Sequence, residues 1–173
     1  IIELKTLETE VGSTGQFREK MRVAHRQVYS KYKKTPLSLD PEVSTEYLKV
    51  FIDLFRAPLA RIVKKANAQI KSTKENLSYP DHQGILLLIN DGLRELPPRL
   101  MLATLARILN GSCTSIRAMI YLTNHYVVIP GDECGRILWV PLYADAERDG
   151  LVDFVNDLGK AWFDYCEELG QPS

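Results

Sequence analysis

Ile1-Ile2-Glu3-Leu4-Lys5-Thr6-Leu7-Glu8 is the stretch whose reading decides the fold. Aliphatic Ile2 and Leu4 alternate with charged Glu3 and Lys5, the period of a β-strand, so the Glu3 carboxylate and the Lys5 ammonium stand side by side on one face. The aliphatic residues between them are expected to anchor the strand in the core. A carboxylate and an amine fixed two residues apart on a rigid strand can hold a divalent cation and polarise a phosphate or a water. The same triplet also occurs on ordinary solvated strand faces, so the flanking sequence has to separate the two readings.

Outward from this strand, Glu8 to Gln16 carries Thr9, Gly12, Ser13, Thr14 and Gly15, the chemistry of a turn or loop. Phe17 to Lys34 then reads as a helix with Phe17, Met21, Ala24, Val28 and Tyr32 as its apolar stripe and most of the Arg and Lys opposite. Thr35-Pro36 ends it. Asp40-Pro41 opens a second helix, Asp as cap and Pro in the first turn. Tyr47, Leu48, Phe51, Ile52 and Phe55 face inward, and Pro58 is expected to break or restart the helix before a segment reaching about Leu77. Lys65, Gln69 and Thr73 recur every fourth residue and share a face of that segment. A Gln and a Lys there, beside the opening strand, could reach a scissile phosphate or an attacking water.

Gly84 to Ile89 is an unbroken aliphatic run and reads as a fully buried strand, closed by Asn90-Asp91-Gly92. Pro97-Pro98 opens a helix expected to stop at Asn110-Gly111. Ile116 to Thr123 and Ile137 to Tyr143 are two further strands, with a turn or hairpin over 131–135 between them. Arg148 to about Leu169 is the closing amphipathic helix, its stripe Leu151, Phe154, Val155, Leu158, Trp162, Tyr165 and Leu169. The pattern as a whole is that of an α/β protein, a mixed and largely parallel central sheet flanked by helices.

The 173 residues suffice for one domain with a core of its own. Formal net charge is zero, yet the charges are segregated. Residues 15–74 hold fourteen Lys and Arg against five Asp and Glu, whereas 132–173 hold three against ten. A locally cationic half is the footprint of a polyanion partner, nucleic acid above all, although two solvated helix faces would look the same. No apolar run is long enough to span a bilayer, and no membrane partner is expected; the reading is cytoplasmic. Cys113, Cys134 and Cys166 are widely spaced and lack a CxxC, which favours buried or half-buried free thiols over disulfides or zinc. His25, His82 and His125 have no metal-ligand spacing. The absence of a Gly-rich phosphate loop, a GxSxG and a dinucleotide fingerprint argues against nucleotide-binding enzymes, serine hydrolases and dehydrogenases.

A strand with Glu-x-Lys, a helix with Gln and a buried strand ending at Asn-Asp-Gly, in that order, resemble the PD-(D/E)xK phosphodiesterase superfamily of restriction-endonuclease-like nucleases. The segments that carry the resemblance are IIELKTLE, KKANAQIKSTKENL and GILLLINDG, within residues 1–92. It implies a restriction-endonuclease-like core with a helical insertion between Thr9 and Leu77, in a single domain spanning 1–173. In the family a further acidic ligand lies on a strand upstream, so the chain is expected to be a fragment of a longer protein. Pro80-Asp81 spells the family's PD but lies on the wrong side of the motif.

The resemblance implies a nuclease that hydrolyses DNA phosphodiesters with Mg²⁺ or Mn²⁺, acting as an endonuclease or an exonuclease. Glu3 would be the metal ligand, Lys5 the lysine that positions the water and stabilises developing charge, and Gln69 the helix glutamine of the exonuclease-like branches. Arg18, Arg22, Arg26, Lys65 and Lys71 would hold the nucleic-acid backbone through sequence-independent phosphate contacts. The alternative is a non-catalytic nucleic-acid- or protein-binding domain on the same fold. Neither reading fixes the oligomeric state, and a homodimer is compatible with both.

Overall fold

The computed structural model describes residues 1–8, 15–33, 41–94, 97–128, 134–144 and 149–170. Three parallel strands form its centre: β1 (Ile2–Leu7), β2 (Ile85–Asn90) and β3 (Ala118–Thr123), with β4 (Trp139–Tyr143) antiparallel beside β3. Strand order follows chain order, β1-β2-β3-β4. Helices α1 (Gly15–Tyr32) and α2 (Pro41–Asn76) connect β1 to β2, and α3 (Pro98–Ser112) connects β2 to β3. Helix α4 (Asp149–Glu168) follows β4. The fold is thus α/β with a mixed, mostly parallel sheet, as the sequence pattern predicts.

Register assigns each strand residue to a face. Glu3 pairs with Leu86 and Lys5 with Leu88, and these continue to Met119 and Tyr121 on β3. This face packs beneath α2 and α3, whose Phe55, Leu59, Val63, Ala66 and Ile70, with Met101 and Leu105, close the larger core. The opposite face, Ile85, Ala118 and Ile120, packs on Val155, Leu151 and Leu158 of α4. Helix α1 packs on α2, with Ala24 and Val28 buried.

Strand β1 runs contrary to expectation. Ile2 and Leu4 are 47% and 54% exposed, so they do not anchor the strand. Leu7, 5% exposed in the α2/α3 core, does so. The physical reason is position: β1 is the edge strand among the described residues, and the face to which Ile2 and Leu4 belong is covered by α4 over Ala118 and Ile120, away from that edge. The charged pair therefore lies on the side nearer the core.

Other boundaries shift for local reasons. Helix α2 runs straight through Pro58 for 36 residues. Proline forfeits one backbone bond there, but Phe55 and Leu59 on either side are 1% and 2% exposed in the same core, and their burial holds the helix together. Helix α3 passes Asn110-Gly111 and ends at Ser112, where Cys113 turns extended. The stripe of α4 is rotated from the expected one: Val155 and Cys166 are buried with Gly159, while Phe154, Tyr165 and Leu169 are 48%, 53% and 60% exposed. Gly159 lets the helix approach the sheet, since a Cβ there would lie 2.8 Å from the Trp139 indole nitrogen. Cys134 is exposed, contrary to the buried or half-buried thiol expected, whereas Cys113 is half-buried and Cys166 buried. Asp40, the expected cap of α2, and the centre of the expected hairpin at 131–133 lie outside the described residues. Val127 and Arg136, flanking that hairpin, form an antiparallel bridge with N–H to carbonyl distances of 2.8 and 2.9 Å.

Candidate active site

Glu3 and Lys5 point to one face of β1, as the two-residue spacing requires, and the Lys5 Nζ donates to Glu3 Oε1 at 2.6 Å. Their side chains are about one-fifth exposed, 21% for Lys5 and 22% for Glu3. Leu86 and Leu88, their neighbours across the ladder, are fully buried. The pair stands where the core meets the open edge of the sheet. An ammonium carries three donors; one is engaged with Glu3, and the others can serve a bound oxyanion or water.

The third predicted member, Gln69, lies on α2. Positions 59, 63, 66 and 70 of that helix are buried, which places Gln69 about a quarter-turn off the buried line, on the flank shared with Ile62 and Thr73. Ile62 packs beside the carboxyl end of β1, where it lines a small apolar recess with Thr6, Leu7, Glu8, Phe55 and Leu59. The chain leaves α2 to enter β2 at its amino end, so α2 runs opposite to β1. Seven residues of helix from Ile62 to Gln69 advance roughly 10 Å, and four residues of strand from Leu7 back to Glu3 roughly 13 Å. Gln69 thus lies on the flank of α2 that Ile62 turns toward β1, and it is exposed. No hydrogen bond joins it to either residue among the described interactions.

The predicted cationic residues divide. Arg18, Arg22 and Arg26 are exposed on α1. Arg22 forms a two-pronged pair with Glu19, Nη2 to Oε1 at 2.7 Å and Nε to Oε2 at 2.9 Å. That bond, followed by the charges of Arg22 and Arg26, holds the Glu19 carboxyl below its ordinary range. Lys65 is exposed on α2 near Gln69, whereas Lys71 belongs to the opposite flank and sits 3.9 Å from Glu75. The five do not form one surface.

Two features escaped the linear reading because their members are far apart in sequence. At the carboxyl ends of the parallel strands, buried Asn90 is fully engaged: its Nδ2 donates to the Leu93 carbonyl (2.7 Å) and to Tyr121 Oη (2.8 Å), and its Oδ1 accepts from the Leu93 N–H (2.9 Å). Asp91 accepts from Asn124 Nδ2 at 2.6 Å. Its backbone partner of the turn, Gly92, approaches Glu8 so closely that a Cβ would lie 2.5 Å from the Glu8 carbonyl oxygen. His125 lies alongside, its Nδ1 buried without a hydrogen-bond partner, and burial together with the Arg94 charge pushes its pKa below the usual imidazole value. At the amino ends, Lys74 and Arg117 are brought together although 43 positions separate them.

For a divalent metal the donor set is one carboxylate, Glu3, with its lysine. Among the described residues no group of three or more His, Cys, Asp or Glu side chains could hold a metal ion. One protein carboxylate fits the open, water-rich coordination of Mg²⁺, which shares its ligands with substrate phosphates, and does not amount to an all-protein cage. No helix among the described residues is long and apolar enough to cross a membrane. In comparisons with protein families, curated proteins and solved structures, nothing matches the chain.

Proposed function

We propose that this chain is a restriction-endonuclease-like phosphodiesterase domain that hydrolyses DNA, with Glu3, Lys5 and Gln69 at its centre. The observation that carries the reading is the inverted pattern of β1. Glu3 and Lys5 occupy the side nearer the core, 22% and 21% exposed, while Ile2 and Leu4 on the other side are about half exposed. Burial alone would favour aliphatic residues at positions 3 and 5, as at Leu7 on the same side, and departures from agreement between pattern and burial are expected at functional sites. Glu3 would provide one oxygen ligand to Mg²⁺ or Mn²⁺. The ion, when bound, supplies a water of lowered pKa and a charge that neutralises the attacked phosphate. Lys5, held by Glu3, donates its remaining N–H groups to the water or to a phosphoryl oxygen and stabilises the charge developing there. Gln69, on the flank of α2 toward β1, would orient the water or a non-bridging oxygen. The exposed Arg18, Arg22, Arg26 and Lys65 hold the backbone through phosphate contacts.

The test is cleavage of labelled duplex and single-stranded DNA with Mg²⁺, Mn²⁺ or excess chelator. Metal-dependent cutting that is lost in Glu3→Ala and in Lys5→Ala, both still folded by circular dichroism, is the expected result. Equal cutting by parent and both variants would overturn it.

A second reading, a non-catalytic nucleic-acid-binding domain on the same fold, is favoured by two observations. Lys5 already engages Glu3, and no group of three metal-ligating side chains surrounds them among the described residues. It predicts salt-sensitive DNA binding without turnover, unchanged by Glu3→Ala.

A further inference from the structure

Hydrogen bonds at both ends of β1 fix the phase of its ladder to β2. The Ile85 N–H donates to the Ile1 carbonyl at 2.8 Å, and the Asp91 N–H to the Leu7 carbonyl at 3.2 Å. Backbone groups of successive strand residues point to alternate sides, so Ile1, Glu3, Lys5 and Leu7 bond toward β2. Ile2, Leu4 and Thr6 therefore direct their N–H and carbonyl groups away from it. Among the described residues no strand pairs with β1 on that side. The same stretch carries Ile2 and Leu4, 47% and 54% exposed. A row of unpaired backbone groups beside exposed aliphatic side chains is a template for a further strand.

The order of charges along β1 selects which strand. Two copies of one chain related by a two-fold axis meet through the same patch, and on a sheet edge this gives antiparallel pairing. Registers centred on Glu3, Leu4 or Lys5 all set outward-directed residues of one copy against those of the other. Centred on Glu3 or on Lys5, the pairing places like charges opposite each other, which is destabilising. Centred on Leu4, it places Glu3 opposite the partner's Lys5 and Lys5 opposite the partner's Glu3. Leu4 then exchanges both backbone bonds with the partner's Leu4, and Ile2 does so with the partner's Thr6. Glu3 and Lys5 fall at the positions without ladder bonds, where facing Cα atoms are only roughly 4.5 Å apart and side chains meet most closely. The bond of 2.6 Å from Lys5 Nζ to Glu3 Oε1 would thus extend into an alternating cluster of four charges with no net charge. On the other face, Leu4 meets the partner's Leu4 and Ile2 lies diagonal to it, which removes the exposed aliphatic side chains from water.

We infer that the free edge of β1 is the contact between two copies of this chain, paired antiparallel about Leu4 into one continuous sheet. The inference rests on the phase of the ladder and the order of the charges, and not on the chemistry proposed for Glu3 and Lys5. Its test is sedimentation equilibrium of the full chain over a concentration series in excess chelator, so that association is read without cleavage. The parent is expected to approach twice the 19.7 kDa mass of one chain. Leu4→Pro removes an N–H that faces the open edge, a position where a strand tolerates proline; it is expected to stay folded by circular dichroism and to sediment as a monomer.

Glu3→Lys and Lys5→Glu each set like charges opposite one another at both ends of the contact, and each is expected to weaken self-association by at least about tenfold. An equimolar mixture of these two variants restores opposite charges throughout and is expected to regain the parent's association. Should either variant lower the thermal midpoint, the exchanged form Glu3→Lys with Lys5→Glu decides the matter: it should self-associate like the parent without forming mixed dimers with it. A parent that stays monomeric up to about 1 mM overturns the inference. So does association that Leu4→Pro and both charge variants leave unchanged, which would place the contact elsewhere on the molecule. Slow hydrogen exchange at the Leu4 and Thr6 amides of the monomer, independent of concentration, would show that another segment of the chain occupies the edge and would overturn it equally.

Discussion

Gly84→Ala should be among the most damaging single-methyl additions to this fold. A Cβ at Gly84 would stand 2.1 Å from the Ser115 carbonyl oxygen and 2.6 Å from Ile70 Cγ2. Ordinary contact needs 3.4 Å or more, so the Ser115 backbone has to retreat by over an ångström. It is poorly placed to do so. Asn67 Oδ1 holds the Ser115 and Ile116 N–H groups, the Arg117 N–H bonds the Gly84 carbonyl itself, and Ile70 is fully buried. Overpacking of this kind costs about 1–3 kcal/mol, and each backbone hydrogen bond stretched or broken about 1 kcal/mol more. The smaller unfolded-state entropy of Ala offsets about 0.4–1 kcal/mol. The net destabilisation is about 2–4 kcal/mol, which for a chain of this size corresponds to a fall of roughly 4–16 °C in thermal midpoint. Circular-dichroism melting against the parent measures it, with Gly111→Ala as the control. Gly111 lies in the last turn of α3 with nothing within 4 Å of its Cβ position, so alanine there should be neutral or stabilising. A Gly84→Ala midpoint within about 2 °C of the parent would refute the reasoning, because about 2 kcal/mol cannot hide in so small a shift.

Three further outcomes follow from other parts of the molecule. Asn90→Ala leaves the Leu93 N–H and carbonyl and the Tyr121 hydroxyl without their buried partner, and urea denaturation should show a decrease of about 2–3 kcal/mol, against about 1 kcal/mol for Tyr121→Phe. His125 has its pKa lowered below the ordinary 6.5 by burial and Arg94, with the Asn90 backbone and Asp91 opposing. The unfolded chain therefore takes up the proton first, and His125's contribution is present above pH 6.5 and lost as pH falls through and below it. His125→Gln should flatten that part of a stability–pH profile, and an unchanged slope would exclude the assignment. Replacing Glu3 and Lys5 together by Leu, beside fully buried Leu86 and Leu88, should leave stability within about 1 kcal/mol of the parent or above it, since a partly screened ion pair contributes little, while any cleavage is abolished.

Much of the fold could be read from local pattern. The short unbroken aliphatic run after Gly84 reads as an interior strand and is one, and Ala24 with Val28, or Val63, Ala66 and Ile70, kept helical spacing and proved buried. Where local rules failed, tertiary packing had outweighed them. Pro58 ought to interrupt a helix, but Phe55 and Leu59 are pinned on both sides of it. On α4, the apolar residues outnumber the positions facing the sheet, so the stripe could not be chosen until Gly159 was seen against Trp139. For the candidate site, the spacing of Glu3 and Lys5 was enough to place them on one face. It could not say which face was covered, because that depends on where α4 lies across the sheet. The meeting of Lys74 and Arg117 had no linear signature at all: they come together only because β2 and β3 are parallel neighbours.

The two charged features stand in different relations to stability, and the difference bears on what each is for. The Glu3–Lys5 pair is internally neutral and closely bonded, so the fold tolerates it without further help. Its cost is indirect: two positions that adjoin fully buried leucines hold ions, while two aliphatic side chains on the same strand remain half in water. Aliphatic side chains at positions 3 and 5, beside Leu7, would bury more apolar surface and leave the ladder to β2 intact. A strand shaped by burial alone would carry aliphatic residues at positions 3, 5 and 7 alike. At the other end of the sheet Lys74 is held differently. Burial lowers the Lys74 pKa first and the Arg117 charge second, with Asp81 opposing. The Glu3–Lys5 pair is satisfied without a ligand, so its role requires turnover to be measured.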